Sequence, residues 1–290
     1  MPADVERGGA ALAERPRLAD NRGVDRTLRL LRLAPVTVPC AVVVAILLWW
    51  AQADGGQPVT TWAPGALAVL GLLGVAAWGL PGGWASAPGP VRAAVALLGA
   101  FTAWSALSIA WADEQGAAWE GANRTLLYLA AFALFALWRQ RPLTAGVLLG
   151  AWTLGLGVLA AITVLRVPGA ADPSTLFIDD RLDEPAGYPN AAAATWLMAF
   201  WPAVALAAAP RVPWGLRGAF AAAAVVLADV ALLSQSRGSL FAFPITLVLF
   251  LVLVSGRLRH VLVLLPVGAA AGLAAPAVLD VGQAVVDGDP

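Results

Sequence analysis

The sequence contains few ionisable residues for its length. Only 12% of its 290 residues are charged, against about 25% in a typical soluble protein. All 18 basic residues are Arg, because the chain has no Lys, and the formal net charge is zero. This balance gives no reason to expect a nucleic-acid partner. The single Cys, Cys40, lies in an apolar run, so we expect it to have a packing role and expect no disulfide, metal site or cofactor.

Apolar residues fill most of the remaining sequence. They make up 60% of the chain, and the mean hydropathy is +0.78. Apolar runs of about 20 residues recur, and each is long enough to cross a hydrocarbon layer about 30 Å thick. Because a backbone in lipid must satisfy its own hydrogen bonds, such runs must be helices. The predicted fold is therefore an all-α, polytopic transmembrane bundle inserted in a lipid bilayer.

Nine segments are predicted to span the membrane: 34–52, 62–80, 91–111, 123–138, 143–165, 189–209, 215–234, 239–255 and 260–278. They define a transmembrane domain over residues 34–279. The polar residues 1–33 before it are predicted to form a flexible cytoplasmic tail. Residues 280–290 are predicted to begin an extracytoplasmic loop, and we expect the chain to be part of a longer protein.

The distribution of Arg predicts the orientation. When alternate loops are assigned to alternate sides, one side has the N-terminal tail together with Arg92, Arg139, Arg141, Arg211, Arg217, Arg257 and Arg259. The other side has only Arg124, Arg166, Arg181 and Arg237. Because basic residues are enriched in cytoplasmic loops, we expect a cytoplasmic N-terminus in a multi-pass plasma membrane protein.

The segment 234–239, between the seventh and eighth predicted spans, has the sequence SQSRGS. An Arg at membrane depth is energetically expensive and usually functional, and its guanidinium group matches a pair of phosphate oxygens. Two interpretations of Arg237 are open. It either binds an anion or complements the dipole at a helix C-terminus, with Gly238 as the cap just beyond it.

A second polar stretch, at 181–190, leads into the sixth predicted span. Asn190 is predicted to cap that helix, whose N-terminus would attract anions. Arg181 lies among acidic residues, so a local salt bridge and a contact with an anionic substrate are both open interpretations.

Together the two stretches resemble the O-antigen ligase and polymerase superfamily of bacterial membrane glycosyltransferases. Those proteins often have an Arg followed by Gly-x-x-Asn-Pro-Asn at the start of one helix, and then Ser-Arg-Gly between two apolar helices. The matching residues are Arg181, Gly187, Pro189, Asn190, Ser236, Arg237 and Gly238. Tyr188 replaces the usual first Asn, and the resemblance covers roughly residues 90–260.

The resemblance implies transfer of a glycan from an undecaprenyl-pyrophosphate carrier on the outer face of the membrane. The acceptor would be a hydroxyl group of a glycolipid, a polysaccharide or a protein. By matched motif, Arg237 and Arg181 would hold the pyrophosphate, with Ser236, Gly238 and Asn190 beside them. The catalytic His of the family has no match, because the only His is His260, on the predicted cytoplasmic side. We therefore expect an incomplete active site in this chain.

Two other functions are compatible with the sequence. Asp229 is the one acidic residue well inside a predicted span, about two helical turns before Arg237. We expect it to pair with Arg237 or with another polar group of the bundle. In a transporter or permease, the two residues would instead line a pathway. The third hypothesis is a non-catalytic membrane scaffold.

Overall fold

The computed structural model describes residues 37–80, 82–137, 140–167, 173–178 and 180–287. The predicted tail 1–33, Arg139 and residues 288–290 lie outside this part of the chain.

Helices make up nearly all of the described structure. In chain order they are α1 (Thr37–Gln52), α2 (Val59–Gly79), the short α3 (Gly83–Ser86), α4 (Gly89–Ser108), α5 (Gln115–Ala136), α6 (Pro142–Arg166), α7 (Pro189–Ala208), α8 (Trp214–Leu233), α9 (Arg237–Leu253) and α10 (Arg257–Asp287). Short 3-10 turns lie at Asp54–Gly56, Ile109–Trp111 and Pro173–Leu176. Strands β1 (Phe177–Ile178) and β2 (Arg181–Leu182) form a small antiparallel hairpin before α7.

Each of the nine predicted segments coincides with a helix. Six helices, α2, α4, α6, α7, α8 and α10, are long and apolar enough to cross a membrane, whereas α1 and α9 are apolar but shorter. The chain is therefore a helical, multi-pass membrane protein.

Two boundaries differ from the prediction. Helix α5 begins at Gln115 rather than near residue 123, because its first two turns are polar and do not register as an apolar run. Residues 280–287, predicted to begin a loop, continue α10.

The main core lies between α6, α7 and α8. Leu156 of α6, Trp196 of α7 and Leu227 of α8 are completely buried in it. Small residues allow close approach of the helices: a Cβ atom added at Gly157 of α6 would lie 2.8 Å from the Cβ atom of Ala223 of α8. Close packing through small side chains is how helices associate in lipid, where the hydrophobic effect does not hold them together.

A second core joins α1, α2 and α5. Trp50, Trp62, Val69 and Leu134 are buried there, and the indole N–H of Trp50 donates to the backbone oxygen of Thr61 at 3.1 Å. Cys40 is buried beside Val44 and Leu148, consistent with a packing role.

The outer surfaces of the bundle are strongly apolar. Leu97, Trp104 and Phe241 are all more than half exposed. Exposed apolar surface of this extent indicates contact with lipid or with another protein.

Hydrogen bonds join several loops at one end of the bundle. The side-chain amide of Gln57 donates to the backbone oxygen of Ala186 at 2.5 Å, and Arg124 donates to the backbone oxygen of Gln57 at 2.6 Å. Gln235 in turn donates to the backbone oxygen of Asp180 at 3.2 Å. These contacts place the turn before α9 and the loop before α7, which carry the two sequence motifs, at the same end.

Candidate functional site

A groove of about 350 Å³ separates α7 from α9. Its lining residues come only from these two helices and the residue preceding α9: Asn190, Ala194, Leu197, Met198, Trp201, Ser236, Gly238, Ser239, Ala242, Phe243 and Thr246. Three of the five predicted substrate-binding residues, Asn190, Ser236 and Gly238, thus line one groove although they lie far apart in sequence. The structure brings these three residues together, whereas Arg181 and Arg237 do not line the groove.

Ser236 holds the start of α9. It is the N-cap residue, and its hydroxyl oxygen accepts a hydrogen bond from the backbone N–H of Ser239 at 3.2 Å. Helix α8 ends earlier, at Leu233, and Gln235 takes the left-handed conformation between the helices with φ 43°. The interpretation of Gly238 as a C-terminal cap is therefore wrong, since Gly238 lies in the first turn of α9.

Arg237 is the first residue of α9, and its side chain is exposed. It is flanked in the chain by Ser236 and Gly238, which line the groove, but it is not itself a lining residue. Its predicted place at a helix C-terminus is also wrong. A cation is unfavourable at a helix N-terminus, because that end of the helix dipole is positive.

Asp229 does not pair with Arg237, which was one of the two partners expected for it. No salt bridge joins the two residues, because the chain turns between α8 and α9 and removes Arg237 from the face of α8 that carries Asp229. Asp229 is buried in α8, and one of its carboxyl oxygens has no hydrogen-bond partner among the described residues.

Asn190 is not the cap of α7, contrary to the prediction. The N-cap residue is Tyr188, with extended backbone and no side-chain capping bond. Asn190 is the second residue of the helix, and its amide nitrogen donates to the hydroxyl oxygen of Tyr188 at 2.7 Å. The first backbone N–H groups of α7 are therefore not satisfied by a capping side chain at this end of the groove.

The walls become aromatic further along the groove. The rings of Trp201 on α7 and Phe243 on α9 are stacked with centroids 5.2 Å apart. The ring centroids of Trp201 and Phe250 are 5.1 Å apart, and those of Phe200 and Phe243 are 5.6 Å apart. The groove is thus polar at the helix N-termini and apolar beyond them. Sequence reasoning did not identify these aromatic residues, because nothing in the uniformly apolar spans distinguishes a groove wall from a lipid-facing surface.

Arg181 lies in β2, half-buried, opposite Ile178 of β1. It does not line the groove. It is adjacent in the chain to Asp180, whose backbone oxygen accepts the hydrogen bond from Gln235 in the turn before α9. The hairpin that carries Arg181 is therefore attached to the turn that leads to Arg237.

Two carboxyl groups follow the hairpin. Burial raises the pKa of Asp183, and the nearby charge of Asp54 raises it further, against a lowering by a backbone hydrogen bond. Burial also raises the pKa of Glu184, as do Asp183 and Asp54, while Arg166 lowers it. Both groups thus bind protons more readily than ordinary carboxyl groups.

His260 lies in the first turns of α10, away from this groove. It is 7% exposed, its Nδ1 atom is 3.1 Å from the backbone oxygen of Gly256, and its ring lies edge-on to that of Phe250. These contacts give it a structural role. Among the described residues, no group of His, Cys, Asp and Glu is arranged to hold a metal ion.

No protein-family model matches the chain, and neither the curated proteins nor the solved structures compared with it gave a match.

Proposed function

We propose that the chain belongs to a membrane glycosyltransferase of the O-antigen ligase or polymerase type, which uses an undecaprenyl-pyrophosphate-linked glycan. The observation that carries the proposal is the groove between α7 and α9, which joins Asn190 to Ser236 and Gly238. A polyprenyl carrier has an anionic head and a long apolar tail. A groove that is polar at one end and lined by Trp201 and Phe243 further along suits both parts.

The polar end of the groove favours an anion. Helices α7 and α9 both begin there, and helix N-termini present unsatisfied N–H groups and positive dipole ends. Arg237 adds a full positive charge at the start of α9. Because this charge opposes the α9 dipole, local helix electrostatics do not account for it. A bound pyrophosphate would account for an arginine at this position, because its negative charge compensates the charge of Arg237 and of both helix N-termini.

In this proposal Arg237 stabilises the pyrophosphate leaving group, which gains negative charge as the bond to the sugar breaks. Arg181 is the second ligand in this proposal, which is supported by the hydrogen bond from Gln235, in the turn before Arg237, to the backbone oxygen of Asp180 next to Arg181. The acceptor hydroxyl attacks the sugar carbon as the bond from that carbon to the pyrophosphate breaks, and its proton passes to a general base. The proposed orientation places this end of the bundle outside the plasma membrane, with nine crossings and a cytoplasmic N-terminus.

The test is Arg237→Lys in the protein expressed from its complete open reading frame. Lys keeps the charge but loses the planar pair of donors. We expect glycan transfer to fall by about tenfold or more, the effect of losing one charged hydrogen bond, with unchanged membrane insertion. Arg92→Lys, an exposed arginine at the start of α4, is the matched control and should transfer glycan normally. Normal transfer by Arg237→Lys would remove Arg237 from the site.

One observation favours a second candidate, an ion-coupled transporter or permease. The buried carboxyl group of Asp229 has an oxygen without a hydrogen-bond partner among the described residues, and such groups often mark ion or proton pathways. Asp229→Asn separates the two candidates. A transporter would lose ion-coupled uptake, whereas a transferase would retain glycan transfer in this variant.

A further inference from the structure

A second groove, of about 430 Å³, lies between α8 and α10 at the opposite end of α8 from the turn that leads into α9. It is lined by Ala207, Trp214, Arg217, Gly218, Ala221, Ala222, Val225, Leu262, Val263, Pro266 and Val267. The lining residues of α8 lie within its first twelve positions, and those of α10 lie within its first eleven. Both helices therefore begin at the mouth of this groove and run along it in the same direction.

Arg217 is the only charged residue that lines this groove. It is half-buried, and its Nε atom donates to the backbone oxygen of Ala207 in the last turn of α7 at 2.7 Å. This bond fixes the guanidinium group, whose two terminal nitrogens make no hydrogen bond to the described residues. A fixed guanidinium with free donors at the rim of an apolar groove matches a phosphate group.

The charged residues that neighbour the groove-lining segments in the sequence are all basic. Arg211 lies just before α8, and Arg257 and Arg259 lie at the start of α10. No acidic residue occurs within 205–222 or 250–265. The positive ends of two helix dipoles add to this potential. Trp214, which is 88% exposed at the first position of α8, has the amphipathic character of side chains at a membrane interface.

We propose that this groove binds one anionic phospholipid. Its phosphate contacts the terminal nitrogens of Arg217 beside the indole of Trp214, and one acyl chain lies along Ala221, Val225 and Val263. A free phosphate ion would make no contact with the apolar walls of the groove. A zwitterionic lipid would not neutralise the positive charge of the arginines. The inference depends on membrane insertion of the bundle and is independent of the glycan-transfer proposal, which concerns the groove between α7 and α9.

The experiment measures retention of phosphatidylglycerol and phosphatidylcholine by the purified full chain, using native mass spectrometry from detergent. We expect the wild type to retain phosphatidylglycerol preferentially. Arg217→Gln should weaken that binding about fivefold, the effect of one basic residue at an anionic lipid surface. Arg92→Gln is the matched control, because it removes one exposed arginine outside the groove, and it should bind like the wild type.

Gly218→Leu tests the groove without removing a charge. A Cβ atom at Gly218 would have no atom within 4 Å, so the larger side chain can be accommodated and will occupy the groove. We expect this variant to lose the lipid while keeping the wild-type melting temperature.

Three outcomes would overturn the proposal. Equal weakening by Arg217→Gln and Arg92→Gln would mean that total charge alone attracts the lipid. Equal retention of phosphatidylcholine would mean that the headgroup is not recognised. Equally tight binding of water-soluble glycerol phosphate would mean that the site takes a free anion rather than a lipid.

Discussion

Helices α7 and α9 form the two walls of the candidate site, but the protein holds them very differently. Ten residues of α7 are buried, against none in α9. α7 lies in the main core with α6 and α8, whereas α9 is attached through the aromatic contacts of Phe243 and Phe250 and through the turn that precedes it. One wall is therefore part of the core and the other lies at the periphery.

This difference indicates how the groove would open. Regions with few buried contacts open at a lower free-energy cost than the core. We expect α9 to move when a substrate enters, while α7 keeps its position. Arg237 belongs to the movable wall, so its distance from Asn190 on the fixed wall would change as the groove opens.

The largest expected effect on stability comes from shortening a buried side chain of α7, the fixed wall. Trp196 of α7 is completely buried, and Trp196→Ala leaves a large cavity in the core. We expect a loss of about 3 kcal/mol in the free energy of unfolding, typical for removal of a buried aromatic side chain. Unfolding in a mixed-micelle titration with a denaturing detergent measures it.

The matched variant on the peripheral wall is Phe241→Ala. Phe241 is 73% exposed, so we expect a change within about 0.5 kcal/mol. A loss comparable to that of Trp196→Ala would show that α9 packs as tightly as α7, against a second copy or another protein, and the contrast between the walls would fail.

A smaller effect is expected at the start of α9. Ser236→Ala removes the hydroxyl oxygen that accepts the N–H of Ser239, at a cost of about 1 kcal/mol. Hydrogen exchange at the first amides of α9 should become faster. Ser239→Ala is the control, because only the backbone of Ser239 takes part in the capping bond. Equal acceleration in both variants would argue against the cap.

Much of the helical framework was predictable from the apolar runs that are long enough to cross a bilayer. In lipid the backbone of such a run must form its own hydrogen bonds, and the α-helix is the conformation in which it does so. The missed start of α5 shows the limit of that argument. Its first two turns include Glu120, which pairs with Arg124 one turn further along at 2.6 Å, so they form helix without forming an apolar run. Hydropathy identifies the part of a helix that lies in lipid. It does not identify polar turns that continue the same helix beyond the lipid.

The site was predictable only in part. The motifs identified Asn190, Ser236 and Gly238, and these residues do meet in one groove. The seventh predicted span ended at residue 234 and α8 ends at Leu233, so the break between α8 and α9 was predicted to within one residue, although Gln235 rather than a Gly or Pro makes the turn. The sequence left open which helix Arg237 belongs to, and the structure places it at the start of α9 rather than at a helix C-terminus. The aromatic wall was missed because side-chain contacts between two apolar helices depend on their rotation, which apolar composition does not determine.

The loop before the fixed wall should respond to pH. The pKa of Glu184 is raised in the folded protein, so the folded state binds protons more tightly than the unfolded state. The contribution of Glu184 to the free energy of unfolding is fully present below the ordinary carboxyl pKa of about 4.3. It is lost as pH rises through the raised pKa of the folded state. We expect amides of residues 180–187 to exchange faster, after correction for the intrinsic rate, as pH increases. Glu184→Gln should reduce this dependence, and an unchanged dependence would exclude Glu184 as its source.

The smallest expected effect concerns the hydrogen bonds of Arg124 and Gln57, which attach the loop before α7 to α5. Arg124 donates to Glu120 and to the backbone oxygen of Gln57, whose side chain holds Ala186. Both charged side chains are more than one third exposed, so Glu120→Gln should cost at most about 0.5 kcal/mol. High salt should remove the difference from wild type in the same detergent titration. A larger, salt-independent loss would mean that this connection, and not core packing alone, keeps α7 in place.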